Sequence, residues 1–299
     1  MLDKEKKLVM CGCHFAGYKI IESLLEEGIQ FEYFVTLSEE QAQKFNVSEY
    51  KNFESLAKQY NIPVYYPIDY SLKNNEDYNF FNKHKFDLLI QGGWQRLFPK
   101  NVLDTLNIGA IGGHGSSDFL PKGRGRSPLN WSLIEGKKRF IMHLFFIKPG
   151  VDDGDIIDTE MFDINDFDDI RTLYMKNVIV TKRMLIRSLP KIIDGTISVK
   201  KQDGIPSYYK KRSPADGLIN WENMDVWQIY NFVRAQTRPY PGAYGYINEK
   251  CIKIWRCQVF DTRINYSDAK YGECVESFDN NLIINCRGGL LLIEDYEIM

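Results

Sequence analysis

What this chain has little of narrows it first. Six cysteines in 299 residues, with no Cys-x-x-Cys pair, make neither a disulfide framework nor a thiolate zinc site, and no metal is expected. Cys11, Cys13, Cys251, Cys257, Cys274 and Cys286 sit in apolar or strand-like segments, where a free thiol packs as a small hydrophobe. Positive charge is not in excess either: 38 Lys and Arg stand against 40 Asp and Glu, for a net charge of -2. Nucleic-acid binding depends on neutralising phosphates, so no nucleic-acid partner is expected. No apolar run is long enough to span a membrane. The opening MLDKEKKLVMCGC is charged and then apolar for too few residues to be a secretory signal. These absences lead to the expectation of a soluble cytoplasmic protein with no membrane partner. Internal repeats and low-complexity tracts are absent too. Gly12 and Gly17 flank the first turn, but their spacing fits neither the dinucleotide fingerprint nor a P-loop.

What is present is ordinary globular material. A hydrophobic share of 44% and a charged share of 26% can fill and cover a core, and the length suits about two domains. Strands are read at Lys7–Cys13, Phe31–Leu37, Ile62–Tyr66, Asp87–Gly93, Ile108–Ile111, Phe140–Ile147 and Asp155–Phe162. Helices are read up to Glu27, at Tyr50–Tyr60, Glu76–Lys85 and Pro99–Leu106, and at Asp168–Asp194, where Gly195 takes a C-cap position. This alternation predicts an α/β domain with a mainly parallel sheet. Its ligands should lie beyond the carboxyl ends of the strands. Lys182, Arg183, Arg187 and Lys191 read as the solvated face of the last helix. After Lys201 the stretch QDGIPSYYKKRSPADG reads as a polar linker, with Tyr208 to Arg212 open to a phosphate contact. A helix at Asp225–Gln236 follows. Short strands at Ala243–Ile247, Cys251–Phe260, Gly272–Phe278, Leu282–Cys286 and Leu290–Tyr296 then predict a small β domain. The boundary is expected between residues 203 and 204.

The richest stretch is GGHGSSDFLPKGRGRSPLNWSLIEGKKRFIMHLFFIKPGVDDGDIID, from Gly112 to Asp158. His114, between glycines after a strand, is a candidate acid/base, because imidazole titrates near neutrality. Asp152 is a candidate carboxylate on a turn at the end of an apolar strand, where a scaffold usually presents catalytic groups. Asp153 and Asp155 read as turn residues. His143, inside FIMHLFFI, reads as a core histidine with a satisfied partner. Trp94 is either core or the cover of an aromatic ligand face. Lys122, Arg124 and Arg126 form a basic loop.

The order His114-Gly115-Ser116, Leu120-Pro121-Lys122, Arg124-Gly125-Arg126, Pro128-Leu129-Asn130-Trp131, Gly136 and Val151-Asp152-x-Gly154 resembles the formyltransferase family that uses N10-formyltetrahydrofolate. It is most similar to members acting on nucleotide-linked amino sugars. Arg212-Ser213-Pro214-Ala215-Asp216, Ile219-Asn220-Trp221, Val233-Arg234-Ala235 and Pro239-Tyr240-Pro241-Gly242-Ala243 are similar to that family's C-terminal domain. The resemblance implies a Rossmann-like formyltransferase domain followed by a small OB-like β domain. It implies N10-formyltetrahydrofolate as co-substrate and a nucleotide-linked amino sugar as acceptor, in surface-polysaccharide biosynthesis. A homodimer is left open. By position, His114 and Asp152 are the implied catalytic pair. Arg96, Leu97, Phe98, Arg126, Lys148, Pro149, Gly150, Val151 and Asp152 are the implied folate contacts.

The family pattern pairs an Asn-x-His with a later Asp, but Gly112 stands where the asparagine would be. Ser116, Ser117 and Gln91 are candidates for the donor that this asparagine would supply. Such a preorganised donor is worth about 3–4 kcal/mol of transition-state stabilisation. Other readings are an initiator-tRNA formyltransferase, which should carry a more basic C-terminal domain, and a deformylase that uses water in place of the amine. A lapsed folate- or nucleotide-binding module is the non-enzyme alternative.

Overall fold

The computed structural model describes residues 6–47 and 49–299. The strands are β1 (Leu8–Cys11), β2 (Tyr33–Val35), β3 (Val64–Tyr65), β4 (Leu88–Gln91), β5 (Gly109–Ser116), β6 (Arg124–Gly125), β7 (Arg139–Phe146), β8 (Ile156–Asp163) and β9 (Tyr208–Tyr209). The last five are β10 (Ala243–Ile247), β11 (Lys250–Asp261), β12 (Cys274–Phe278), β13 (Asn281–Cys286) and β14 (Gly289–Ile298). The helices are α1 (Phe15–Glu26), α2 (Glu39–Lys44), α3 (Glu54–Gln59), α4 (Asn75–His84), α5 (Lys100–Leu103), α6 (Pro128–Ile134), α7 (Ile170–Ile193) and α8 (Val226–Arg234).

Two compact units share the chain. The first comprises Met1–Arg124, Ile141–Phe162 and Met175–Ser207; the second comprises Gly125–Phe140, Asp163–Tyr174 and Tyr208–Met299. Nearly all of the expected C-terminal domain, residues 208–299, lies in the second unit, joined there by two earlier segments. Arg234 shows why residues 163–174 go with the C-terminal part. Its buried guanidinium donates to the Asn165 and Asp168 carbonyls at 2.7 Å each and to Asn231 Oδ1 at 2.6 and 2.9 Å. A buried cation is tolerated only when so fully bonded. Composition carries no trace of such a long-range tie.

The first unit is built on a seven-stranded sheet of order β3-β2-β1-β4-β5-β7-β8. The pairs β2–β3, β1–β2, β1–β4 and β4–β5 are parallel, and β5–β7 is antiparallel. This is the expected mainly parallel α/β architecture. Strands β1 and β4 are buried almost throughout, as strands covered on both faces must be. Val9, Cys11, Val35, Leu89 and Ala110 form one core with Phe81, Phe86 and Val102; each fully buried Phe or Val is worth roughly 1.5–3 kcal/mol. Gly12 and Gly17 serve this packing, because a Cβ at either would stand 2.1 or 1.8 Å from the Gly92 carbonyl oxygen. Helix α2 was not expected. Its signal was readable, since Ser38 and Gln41 form a reciprocal capping box. The expected helix over 50–60 shortens to α3. Arg183 and Arg187 are not simply solvated: they pair with Glu160, and Arg187 also with Asp158, on β8.

The second unit holds a five-stranded antiparallel sheet of order β10-β11-β14-β13-β12. Helix α8, capped by an Asp225–Gln228 box, lays Val226, Ile229, Phe232 and Val233 into a core with Trp221, Ile254, Ile284 and Leu291. The expected linker is more ordered than its polarity suggested. It contains β9 and a 3-10 turn at Pro214–Gly217. Arg212 lies over the rings of Trp131 and Phe232 at 5.2 and 5.4 Å and donates to Gln236 Oε1 at 2.8 Å.

All six cysteines are free; Cys251 and Cys274 are only half buried. Among the described residues, no helix is long and apolar enough to cross a membrane, and no cluster of His, Cys, Asp and Glu is placed to hold a metal ion.

Candidate active site

The expected strand at Ile108–Ile111 runs on to Ser116, so His114 lies within β5 rather than on a turn after it. The sequence GGHGS has poor strand propensity. Its partner decides the matter: β7 pairs antiparallel with β5 from Ile111↔Phe146 to Ser116↔Ile141. Parallel β4 stops level with Gly112, so residues 113–116 project past its end.

The structure brings His114 and Asp152 together. His114 is 9% exposed, and its Nδ1 lies 3.5 Å from Asp152 Oδ2. Its Nε2 is 2.8 Å from the Gly123 carbonyl oxygen. A carbonyl only accepts, so Nε2 carries the proton. In the neutral form of the ring, the Nδ1 lone pair is then turned toward the Asp152 side. This differs from a serine-protease triad, where the acid accepts from Nδ1–H. Here a proton taken up at Nδ1 would create an imidazolium facing a carboxylate.

Three local features hold that geometry. Asp152 has a φ of +49°, a left-handed conformation that Asp tolerates better than most residues. Gly154 permits the tight return of the chain, because a Cβ there would lie 1.5 Å from the Phe146 carbonyl oxygen. Gln202 is the third. Its Nε2 donates to the Asp152 and Gly154 carbonyls at 2.7 and 2.9 Å, while its Oε1 accepts from Arg124 at 2.6 and 3.2 Å. Sequence reasoning missed Gln202, because it opens the supposed linker and belongs to no motif. The ion pair Lys148–Asp155, at 3.0 Å, braces the same loop and gives Asp155 more than a turn role.

His143 faces His114 directly across the β5–β7 ladder. As expected for a core histidine, it is 1% exposed and fully bonded. Its Nε2 accepts from the Leu120 N–H at 3.3 Å, so Nδ1 carries the proton and donates to Thr159 Oγ1 at 2.8 Å. Burial, reinforced by nearby His114, pushes its pKa down to about 4.

The residues implied as folate contacts divide. Arg96 is half buried, with its guanidinium 4.5 Å from the Tyr70 ring centre. Leu97 is 52% exposed and Val151 39% exposed, both unusual for large apolar side chains. Lys148 and Pro149 are exposed and Gly150 is half buried. Phe98 is 2% exposed and packs on Trp94, which is 3% exposed and itself meets Tyr70. Both rings are therefore core, and only the backbone at Phe98 could face a ligand. Arg126 falls in the second unit, where its N–H donates to the Tyr209 carbonyl at 3.1 Å. The Pro128–Trp131 part of the motif is likewise tied into that unit: Asn130 donates to the Ala235 carbonyl at 2.7 Å and Trp131 to the Lys210 carbonyl at 3.2 Å.

A histidine paired with an aspartate suits proton transfer at a reacting carbonyl. Family comparison gives the class. A model described as formyl transferase matches residues 16–189, and one described as the C-terminal domain of formyl transferase matches residues 211–299. The chain belongs to the formyl transferase family, whose members are enzymes that transfer formyl groups.

It is 32% identical over 285 residues to the bifunctional polymyxin resistance protein ArnA of Wigglesworthia glossinidia brevipalpis, covering 94% of this chain but 41% of that protein. It is 28% identical over 295 residues to the methionyl-tRNA formyltransferase of Ruminiclostridium cellulolyticum, covering 97% of this chain and 91% of that one. Among solved structures, the N-formyltransferase of Helicobacter canadensis in complex with folinic acid and dTDP-3-aminofucose matches with a TM-score of 0.69 at 20% identity, over 98% of this chain and all of that one.

Proposed function

We propose that this protein transfers the formyl group of N10-formyltetrahydrofolate to the amino group of a nucleotide-linked amino sugar. The observation that carries formyl transfer is the His114–Asp152 pair, delivered by two separate segments and braced by Gln202. Leu97 and Val151, apolar and exposed on the loops after β4 and β7, suit the flat face of a folate ring. In the reaction the amine nitrogen attacks the formyl carbon, and the carbonyl pair moves to oxygen. His114 takes the amine proton at Nδ1, with Asp152 stabilising the imidazolium. The proton then passes to N10 as the carbon–N10 bond breaks, leaving a formamide and tetrahydrofolate.

Charge supports the sugar acceptor. From Tyr208 to Met299, eleven Lys and Arg stand against twelve Asp and Glu, a poor match for a large polyanion. The second reading, formyl transfer to methionyl-tRNA, is supported by the relatives of that name that align along most of their length. Turnover of N10-formyltetrahydrofolate with a panel of UDP- and dTDP-amino sugars, beside charged initiator tRNA, separates the two. Formylated sugar from the wild type, lost in His114→Ala and Asp152→Ala, is the expected result. Product from tRNA alone would overturn the sugar reading, and sugar-independent hydrolysis would favour a deformylase.

A further inference from the structure

Attack on a formyl carbon places negative charge on oxygen, and that oxygen needs a donor fixed in advance. Gly112 has no side chain to supply one. The structure fills its place from the neighbouring strand. Strands β4 and β5 run in parallel register, with Ile90 beside Ile111, so Gln91 comes level with Gly112. A Cβ built on Gly112 would stand 2.8 Å from Gln91 Oε1 and 2.9 Å from Ile147 Cδ1. The Gln91 carboxamide therefore occupies the volume that a side chain at 112 would enter. Residues two apart on a strand share a face, so this volume lies on the His114 face of β5.

The carboxamide is also held. Gln91 Nε2 donates to the Trp94 carbonyl at 2.9 Å. A primary amide has two N–H donors, so this bond fixes the group and leaves the second N–H to give. The other candidates serve less well. Ser116 Oγ is committed to its own turn, at 2.7 Å from the Asp118 carbonyl and 3.0 Å from that of Lys122. Ser117 is 5% exposed and lies beyond the end of β5.

We propose that Gln91 is the catalytic oxyanion donor of this site, reaching from β4 over the bare backbone of Gly112. The inference rests on the formyl-transfer reading above. As the acceptor nitrogen bonds to the formyl carbon, the carbonyl pair moves to oxygen and the Gln91 N–H bonds to that oxygen. The pair returns when the carbon–N10 bond breaks. The proton lost by the attacking nitrogen ends on N10 of tetrahydrofolate. Gly112 becomes a requirement, since a side chain there would displace the carboxamide.

The test follows tetrahydrofolate release by the full chain from N10-formyltetrahydrofolate with two nucleophiles, the amino-sugar panel and water. Both nucleophiles pass through the same kind of oxyanion. Gln91→Ala should lower kcat by about 10²–10³-fold while leaving the folate KM and the melting temperature near those of the wild type. Gln91→Glu, similar in size but without the N–H donors, should be as impaired. Gln91→Ala combined with Gly112→Asn, which returns a carboxamide to the emptied volume, should recover roughly tenfold or more over Gln91→Ala. Near-wild-type kcat in Gln91→Ala, full activity in Gln91→Glu, or a loss confined to KM or to stability would overturn the assignment. A wild type inert toward every sugar but active with water would sink the acceptor reading alone, because Gln91→Ala must still slow that hydrolysis. A wild type that releases no tetrahydrofolate with either nucleophile or with charged initiator tRNA overturns both.

Discussion

His114 and His143 stand opposite one another in the β5–β7 ladder, yet their surroundings make them different chemical groups. His114 lies where β5 has outrun β4, so one side of its ring faces the Asp152 carboxylate across 3.5 Å. His143 lies where the strand is covered, with a backbone N–H on one ring nitrogen and a threonine hydroxyl on the other. Each ring is fixed in a tautomer by its neighbours, and the tautomers are opposite: Nε2–H in His114, Nδ1–H in His143. The same side chain thus faces a carboxylate at the end of a ladder and is a structural bracket inside it. The difference arises from what lies one strand away.

The largest effect should come from removing the His114 imidazole. His114→Ala is expected to lower kcat for formyl transfer by about 10³-fold, with the folate KM nearly unchanged, as steady-state kinetics would show. A small loss would break the contrast with His143. Asp152→Asn keeps the shape but not the charge facing Nδ1, and should cost on the order of 10² in kcat.

Gln202→Ala touches neither histidine. It frees the Asp152 loop from Arg124 and should cost roughly tenfold in kcat through lost alignment, with Gln202→Glu unable to donate to the two carbonyls and no better. Wild-type kinetics in Gln202→Ala would show that the loop holds itself.

The smallest effect on turnover is expected from His143, and its signature is pH. Its folded pKa, about 4, lies below the ordinary 6.5. As pH falls below 6.5 the unfolded chain takes the proton first. The contribution is therefore fully present above pH 6.5 and is lost progressively down to pH 4. At pH 5 the loss is about 2 kcal/mol. Denaturant titrations of the wild type and His143→Gln across pH 7 to 4.5 should give a shallower slope in the variant. His14, which burial likewise holds near 4, maintains part of the slope in both. Equal slopes would show that His143 is not held neutral.

Much of the fold was legible from pattern. Runs such as DLLIQGG and FIMHLFFI are short, apolar and bounded by turn residues, and they became β4 and β7 with their burial as expected. His143 was legible for the same reason, since an apolar run on both sides means a covered strand. The pairing of His114 with Asp152 was legible only through family resemblance, because nothing in a spacing of 38 residues says that a strand residue and a loop residue meet. Position-by-position transfer does not say which side chains point outward. Leu97 faces solvent, while its neighbour Phe98 turns into the core against Trp94.

By itself the sequence determined where most strands and helices would lie, because periodicity and capping act within a few residues. It also determined that Gly112 lacks a donor and that Gly154 can turn where other residues cannot. Only the tertiary structure decided that β5 continues through His114, that Gln91 stands over Gly112, and that Gln202 grips the Asp152 turn. Each of these depends on a hydrogen-bond ladder or a carboxamide reaching from a distant part of the chain. Such contacts are selected by the packing of the whole sheet and leave no local pattern to read.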